Sequence, residues 1–284
     1  MRNKEGRRIK SGNPMDAVSP FIMPTRTGSS NSFASTIDIG KCEQLIRNLR
    51  ADGMTSIGMM HVFMAAYIRV LSQLPGLNRF IRGQRLYARE GIEICLTVKK
   101  EMQLNAAETV VKLYASPQDT LKDVYTGLTE ILAENKQDGD QNNMDTAARL
   151  LGKVPGVFLK LVVWFLKFLD YFGLLPRFLT KLSPFHGSMF ITNLGSLGIP
   201  PVVHHLYEFG NLPIFIAMGA KRTEYTVTKT GEVEKRRLID FTLVCDERIC
   251  DGHYYATAFK MLKRILANPE QLLTPPEMVV EDIK

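Results

Sequence analysis

The 284-residue chain has only four cysteines, Cys42, Cys95, Cys245 and Cys250, and no C-x-x-C spacing, so neither a disulfide framework nor a zinc ribbon is indicated. A reducing compartment fits this usage. The first 20 residues, rich in charge and proline, lack the apolar core of about 7–15 residues that a secretory signal needs, and a cytoplasmic protein is expected. There is no Walker loop, no G-x-G-x-x-G and no G-x-S-x-G, so NTPase, dinucleotide-binding and α/β-hydrolase chemistry lack their signatures. Histidine is scarce too. His61 lies within an apolar helical run and reads as a satisfied core histidine, while His204 and His205 follow Pro200-Pro201 on a loop without cysteine or carboxylate companions at ligand spacing. No metal is expected.

What is abundant is apolar material. Hydrophobic residues make up 45% of the chain and charged residues 23%, which excludes disordered and fibrous classes and permits one large core. Thirty-six Lys and Arg against 29 Asp and Glu leave a net charge of +7, compatible with an anionic ligand such as a nucleotide-bearing cofactor or an acidic lipid. The basic residues are dispersed and no recognition motif accompanies them, which argues against nucleic acid.

Residues 1–30, with Arg7, Arg8 and Lys10 among Gly, Pro and Ser, read as an extended arm. Residues 31–284 read as one domain. Period-2 alternation predicts strands at 32–39 and 92–99, and about 109–114, with a hairpin around Gly83. Helices are predicted at 41–50, 57–74, from about 117 to 133, and 254–266, with a solvated loop at 138–143. Strands return at 188–192 and 214–218, and a hairpin joins 224–229 to 235–245 through Thr230-Gly231. The interleaving predicts an α/β (α+β) two-layer sandwich whose mixed sheet is packed by helices.

A hydrophobic helical insertion at about 140–184 interrupts this pattern. Residues 154–182 are almost continuously apolar, broken by Lys160, Lys167, Asp170 and Arg177, with Lys160, Trp164, Lys167 and Tyr171 on one stripe at helical spacing. Three charges within 160–170 argue against a span, which needs about 20 apolar residues. Burial against its own domain or a partner subunit, a helix lying in a membrane surface, and a cover over a greasy substrate groove all stay open.

The run Cys245-Asp246-Glu247-Arg248-Ile249-Cys250-Asp251-Gly252 ends a strand and enters a helix. It resembles the H-x-x-x-D-G signature shared by chloramphenicol acetyltransferase and the catalytic domain of the dihydrolipoamide acyltransferases of 2-oxo acid dehydrogenase complexes. In the same order, 57–78 with its Leu-Pro-Gly-Leu-Asn end is similar to that family's long helix and following turn. Gly187-Ser188-Met189-Phe190-Ile191-Thr192-Asn193-Leu194-Gly195 resembles its G-T-F-T-I-S-N-L-G strand. The resemblance covers roughly 30–135 and 185–275.

What it implies is a trimer with active sites at subunit interfaces, exchanging acyl groups between coenzyme A and a thiol or hydroxyl acceptor. The family's histidine, its general base, is matched here by Glu247, and its motif Asp and Gly by Asp251 and Gly252. Thr192, followed by Asn193, supplies the hydroxyl that supports the oxyanion in the family. The motif Asp is expected to pair with an arginine, for which Arg7 and Arg8 are candidates, and Arg248 is a candidate partner for Glu247 if the site is degenerate. A glutamate near pKa 4.3 is a weak base toward a thiol near 8.5, and burial raises a carboxyl by several units. His253 offers a displaced base, and Cys245 and Cys250 read better as small buried hydrophobes. The lipoyl and subunit-binding domains of the dihydrolipoamide acyltransferases are not recognised in this chain, so a free-standing enzyme or a non-catalytic binding relative is expected, with no lipoyl group of its own.

Overall fold

A computed structural model describes residues 5–10, 14–99, 108–137, 152, 154–228 and 230–283. In chain order the elements are β1 (Gly6–Arg8), α1 (Pro14–Ile22), β2 (Ser30–Asp38), α2 (Gly40–Ala51), α3 (Met59–Gln73), β3 (Arg79–Arg82), β4 (Arg85–Arg89), β5 (Ile92–Lys99) and β6 (Glu108–Ala115). They continue with α4 (Leu121–Gln137), α5 (Gly156–Tyr171), α6 (Arg177–Leu182), β7 (Met189–Asn193), β8 (Ile214–Val227), β9 (Val233–Asp246) and α7 (Gly252–Ala267).

Local chemistry accounts for the boundaries. Pro75 cannot continue α3, which stops at Gln73. Gly83 and Gln84 both take left-handed φ values, 54° and 55°, as a two-residue type I′ hairpin turn between β3 and β4 requires. Thr120 opens α4 through reciprocal bonds: its N–H donates to the Asp123 carboxylate (2.8 Å) and its hydroxyl accepts from the Asp123 N–H (3.4 Å).

The main sheet is mixed and six-stranded, ordered β2-β9-β8-β7-β5-β6. Its β5–β7 and β7–β8 pairs are parallel and the rest antiparallel. On one face α2, α3, α4 and α7 enclose the principal core, in which Phe63 meets Phe241 edge-on at 5.5 Å between ring centroids. The other face carries Phe190 stacked on Phe215 (4.9 Å) and Val244, packed against Leu206 and Leu212. A small antiparallel sheet, β1-β4-β3, stands apart.

The structure departs from the sequence reading in two places. The arm is not extended throughout: Pro14–Ile22 is helical, with Pro14 at its first position, where the missing N–H costs nothing. The strands expected at 214–218 and 224–229 are one strand, β8, bent by an irregularity in its pairing between Met218 and Lys221. Gly219 there admits Pro201, whose Cδ would lie 2.4 Å from any Cβ. Of the placements left open for the insertion, burial within its own domain is not the one seen, since most of α5 and α6 is exposed. The solvated loop expected at 138–143 lies outside the described residues.

Candidate active site

The strand-to-helix turn after β9 is organised by a buried ion pair. Asp246, 1% exposed, takes Arg248 Nε and Nη2 on its two oxygens at 2.7 Å each, and its Oδ1 also accepts from the Arg248 N–H and from the Ser29 hydroxyl, both at 3.2 Å. Arg248 therefore does not meet Glu247. Instead the Asn31 amide donates to Glu247 Oε2 at 2.5 Å, and the Glu247 N–H donates to the Ser29 carbonyl (2.9 Å), so the half-buried glutamate leans toward β2.

Asp251 caps α7: its exposed carboxylate accepts from the Tyr254 N–H at 2.8 Å. Among the described residues no arginine pairs with it. Arg7 sits in β1 and donates to the Asp282 carbonyl, while Arg8 runs opposite Tyr87 in the same small sheet. Gly252 begins α7, and His253 is exposed in its first turn, away from the core. Burial pushes the Cys245 thiol up to about 12 and raises Cys250 as well, as suits packed rather than nucleophilic cysteines.

Two segments distant in sequence meet here. The Gly76 N–H of the Leu-Pro-Gly-Leu-Asn turn donates to the Tyr254 hydroxyl (2.8 Å), and a Cβ at Gly76 would lie 2.7 Å from that ring. His61 behaves as a core residue, its Nδ1 accepting from the Gly58 N–H at 3.1 Å and its pKa lowered by burial.

Thr192 lies on the face of β7 that carries Phe190, opposite the helices, and its hydroxyl has no partner among the described residues. Asn193 turns the chain sharply after it, Oδ1 accepting from the Gly195 N–H (3.1 Å); a Cβ on Gly195 would strike the Gly219 carbonyl at 2.6 Å. Thr192 aligns with Ala217 on β8 and, through it, with Thr242 on β9. Glu247 lies five residues beyond Thr242, so at strand rise and spacing the two candidates are on the order of 15–20 Å apart in one chain. A base must come within about 3.2 Å of the proton it takes. One chain alone does not bring Thr192 and Glu247 together.

The sequence reading missed a cluster centred on His186. Its Nδ1 meets Ser183 Oγ at 2.8 Å and its Nε2 meets Asp170 Oδ1 at 3.2 Å, while Asp170 also faces Arg82 (3.5 Å), which is salt-bridged to Glu5. Burial lowers the His186 pKa against the pull of Asp170. Burial would raise the Asp170 carboxyl, yet the His186 ring and Arg82 hold it below the ordinary carboxylate range. The connectivity is that of a serine–histidine–carboxylate chain, but the imidazole is 0% exposed and offers no face to a substrate. Its work is to moor the end of α5. The signal was available: Asp170 is the one carboxylate in the apolar run, and a buried charge requires a partner.

Beside Arg248 lies a cavity of about 200 Å³ whose walls include Arg26, Arg82, Lys167, Asp170 and Glu208. Its arginines are committed, Arg26 to the Tyr207, Glu208 and Ile81 carbonyls (3.3–3.4 Å) and Arg82 to carboxylates. Among the described residues no group of three metal-ligating side chains occurs.

A family model for the catalytic domain of the 2-oxoacid dehydrogenases acyltransferase matches residues 180–274, which hold Thr192, Glu247, Asp251 and Gly252. No curated protein sequence matches the chain. Similar solved structures include a probable dihydrolipoamide acetyltransferase from Listeria monocytogenes, at 12% identity and a TM-score of 0.58 over 93% of this chain and 95% of that one. A dihydrolipoamide acetyltransferase from Azotobacter vinelandii aligns at 15% identity and 0.58 over 94% and 95%. A chloramphenicol acetyltransferase aligns at 11% identity and 0.55 over 92% and 99%. The 180–274 segment thus matches the 2-oxoacid dehydrogenase acyltransferase catalytic-domain family, and the chain has the fold of the dihydrolipoamide acetyltransferase and chloramphenicol acetyltransferase structures.

Proposed function

We propose that the chain is a free-standing, CoA-dependent acyltransferase that works as a homotrimer, with Thr192 of one subunit facing Glu247 of the next. The observation that carries this reading is the separation of the two residues within one chain, each on a segment matching the family: Thr192 with an unpartnered hydroxyl, Glu247 on an ion-paired turn. A rotated copy would complete the pair.

The acyl thioester of coenzyme A is the substrate. Glu247 takes the proton of the acceptor's thiol or hydroxyl as that atom attacks the thioester carbonyl, and the Thr192 hydroxyl donates to the oxyanion. Collapse breaks the carbon–sulfur bond, and the proton held by Glu247 passes to the departing thiolate, leaving acylated acceptor and free coenzyme A. A general base is worth about 10²–10⁴ in rate and an oxyanion donor about 10²–10³.

The Asn31 bond favours a second reading. With one carboxylate oxygen occupied, Glu247 resembles a structural side chain, and the protein would then bind acyl thioesters without transferring them.

A thiol-release assay separates the two. Purified protein meets acetyl-, butyryl- and palmitoyl-CoA with dihydrolipoamide, chloramphenicol or no acceptor. Acceptor-dependent release that falls at least about tenfold in Glu247→Gln establishes the glutamate as base. A silent wild type in which Glu247→His gains activity establishes the binding relative.

A further inference from the structure

Helix α5 is amphipathic in reverse. Leu159, Leu166 and the buried Asp170 form the stripe it turns to its own domain. At 100° per residue, Val157, Leu161, Trp164 and Phe168 fall within about a 60° arc on the opposite side. They are exposed, Trp164 by 61% and Leu161 by 57%. Phe165, Phe172, Leu174 and Phe178 extend the exposed apolar surface onto the turn and α6. A soluble helix normally places its polar face there.

The charges around this face have one sign. Lys160, Lys167, Arg177 and Lys181 are exposed, whereas Asp170, the sole carboxylate of the segment, is turned inward onto His186 and Arg82. The mooring is double: Asp170 ties the end of the helix to the domain, and the Tyr171 hydroxyl donates to Gln84 Oε1 at 2.9 Å on the β3–β4 turn. The apolar face is thereby held away from the body of the protein.

We propose that α5 and α6 lie in the surface of an anionic lipid bilayer, the aromatic face entering the acyl-chain boundary and the four cations meeting headgroup phosphates. At 16 residues, about 24 Å, α5 is shorter than a hydrocarbon core of roughly 30 Å, and among the described residues no helix is long and apolar enough to cross a membrane. It lies on the bilayer and does not span it. An exposed Trp beside apolar side chains, with lysines at the rim, suits the interface between acyl chains and headgroups. A second copy fits less well, because an isologous contact sets four cations against four with no exposed carboxylate from this segment to pair them. The inference is independent of acyl transfer.

The test uses the full chain with vesicles of phosphatidylcholine alone and of phosphatidylcholine containing about a third phosphatidylglycerol. Expected are sedimentation with the anionic vesicles, at least tenfold weaker binding to the neutral ones, and quenching of Trp164, the sole tryptophan, by brominated acyl chains. Leu161→Glu with Phe165→Glu, both exposed sites, should lose at least about tenfold in binding with an unchanged thermal melt. Lys160→Glu and Lys167→Glu should each lose roughly fivefold on anionic vesicles. Equal binding to both vesicles, binding without quenching of Trp164, or no binding overturns the proposal. In the last case a Trp164 emission that shifts red on dilution assigns the face to a second copy.

Discussion

Arg248 grips Asp246 with two parallel bonds of 2.7 Å from only two residues away, and Glu247, between them, is left to Asn31. Both partners of the pair are almost wholly excluded from solvent, at 2% and 1% side-chain exposure. The turn that presents Glu247 is therefore set by its neighbours, not by Glu247 itself.

Asp246→Ala leaves a guanidinium buried without its carboxylate, and a loss of about 3–5 kcal/mol in urea denaturation is expected. Asp246→Leu with Arg248→Met should recover most of it, because the desolvation cost of both charges disappears together.

The cysteines give a chemical check on packing. Burial pushes Cys42 and Cys245 up to about 12 and Cys95 to about 11, and Cys250 also rises. At pH 8 an aromatic disulfide reagent should react slowly with the native protein and promptly with all four thiols in guanidinium, read by absorbance.

Stability should fall with acid through His186. Its folded pKa lies below the ordinary value near 6.5, so below about pH 6.5 the unfolded chain binds the proton that the native state resists. Asp170, held low, contributes stability above about pH 4 that is lost on further acidification. Denaturation at pH 7 and pH 5 should show a smaller drop for His186→Gln than for wild type. His61 shifts in the same direction in both proteins, so the difference isolates His186.

Gly76→Ala drives a methyl group to 2.7 Å from the Tyr254 ring, where a loss of about 1–3 kcal/mol is expected. With Tyr254→Ala present, the same substitution should cost far less, a coupling that a double-mutant cycle measures directly.

Much of the sheet was legible from residue patterning. Alternation in 92–99 located β5, and the Asp-Gly before an apolar helical run marked the start of α7. The candidate residues Thr192, Glu247 and Asp251 were legible only through resemblance, since no local periodicity singles them out. β1 is three residues of Gly and Arg, formed by pairing with β4 and carrying no pattern of its own. α5 escaped for another reason: where nearly every face is apolar, periodicity shows that a helix exists but not which side it turns inward. The inward side was marked by Asp170, which needed Arg82 and His186, contacts 88 and 16 residues away along the chain.

The distance between Thr192 and Glu247 has a genetic consequence. If each site draws one residue from each of two neighbours in a closed ring, Thr192→Val chains and Glu247→Gln chains are inactive alone but complement when mixed. In randomly assembled equimolar trimers about a quarter of the sites receive both native residues, and that share of the wild-type rate should return. Sites completed within single chains would return nothing. Unfolding and refolding two inactive proteins together thus reports whether the working unit is one chain or the seam between two.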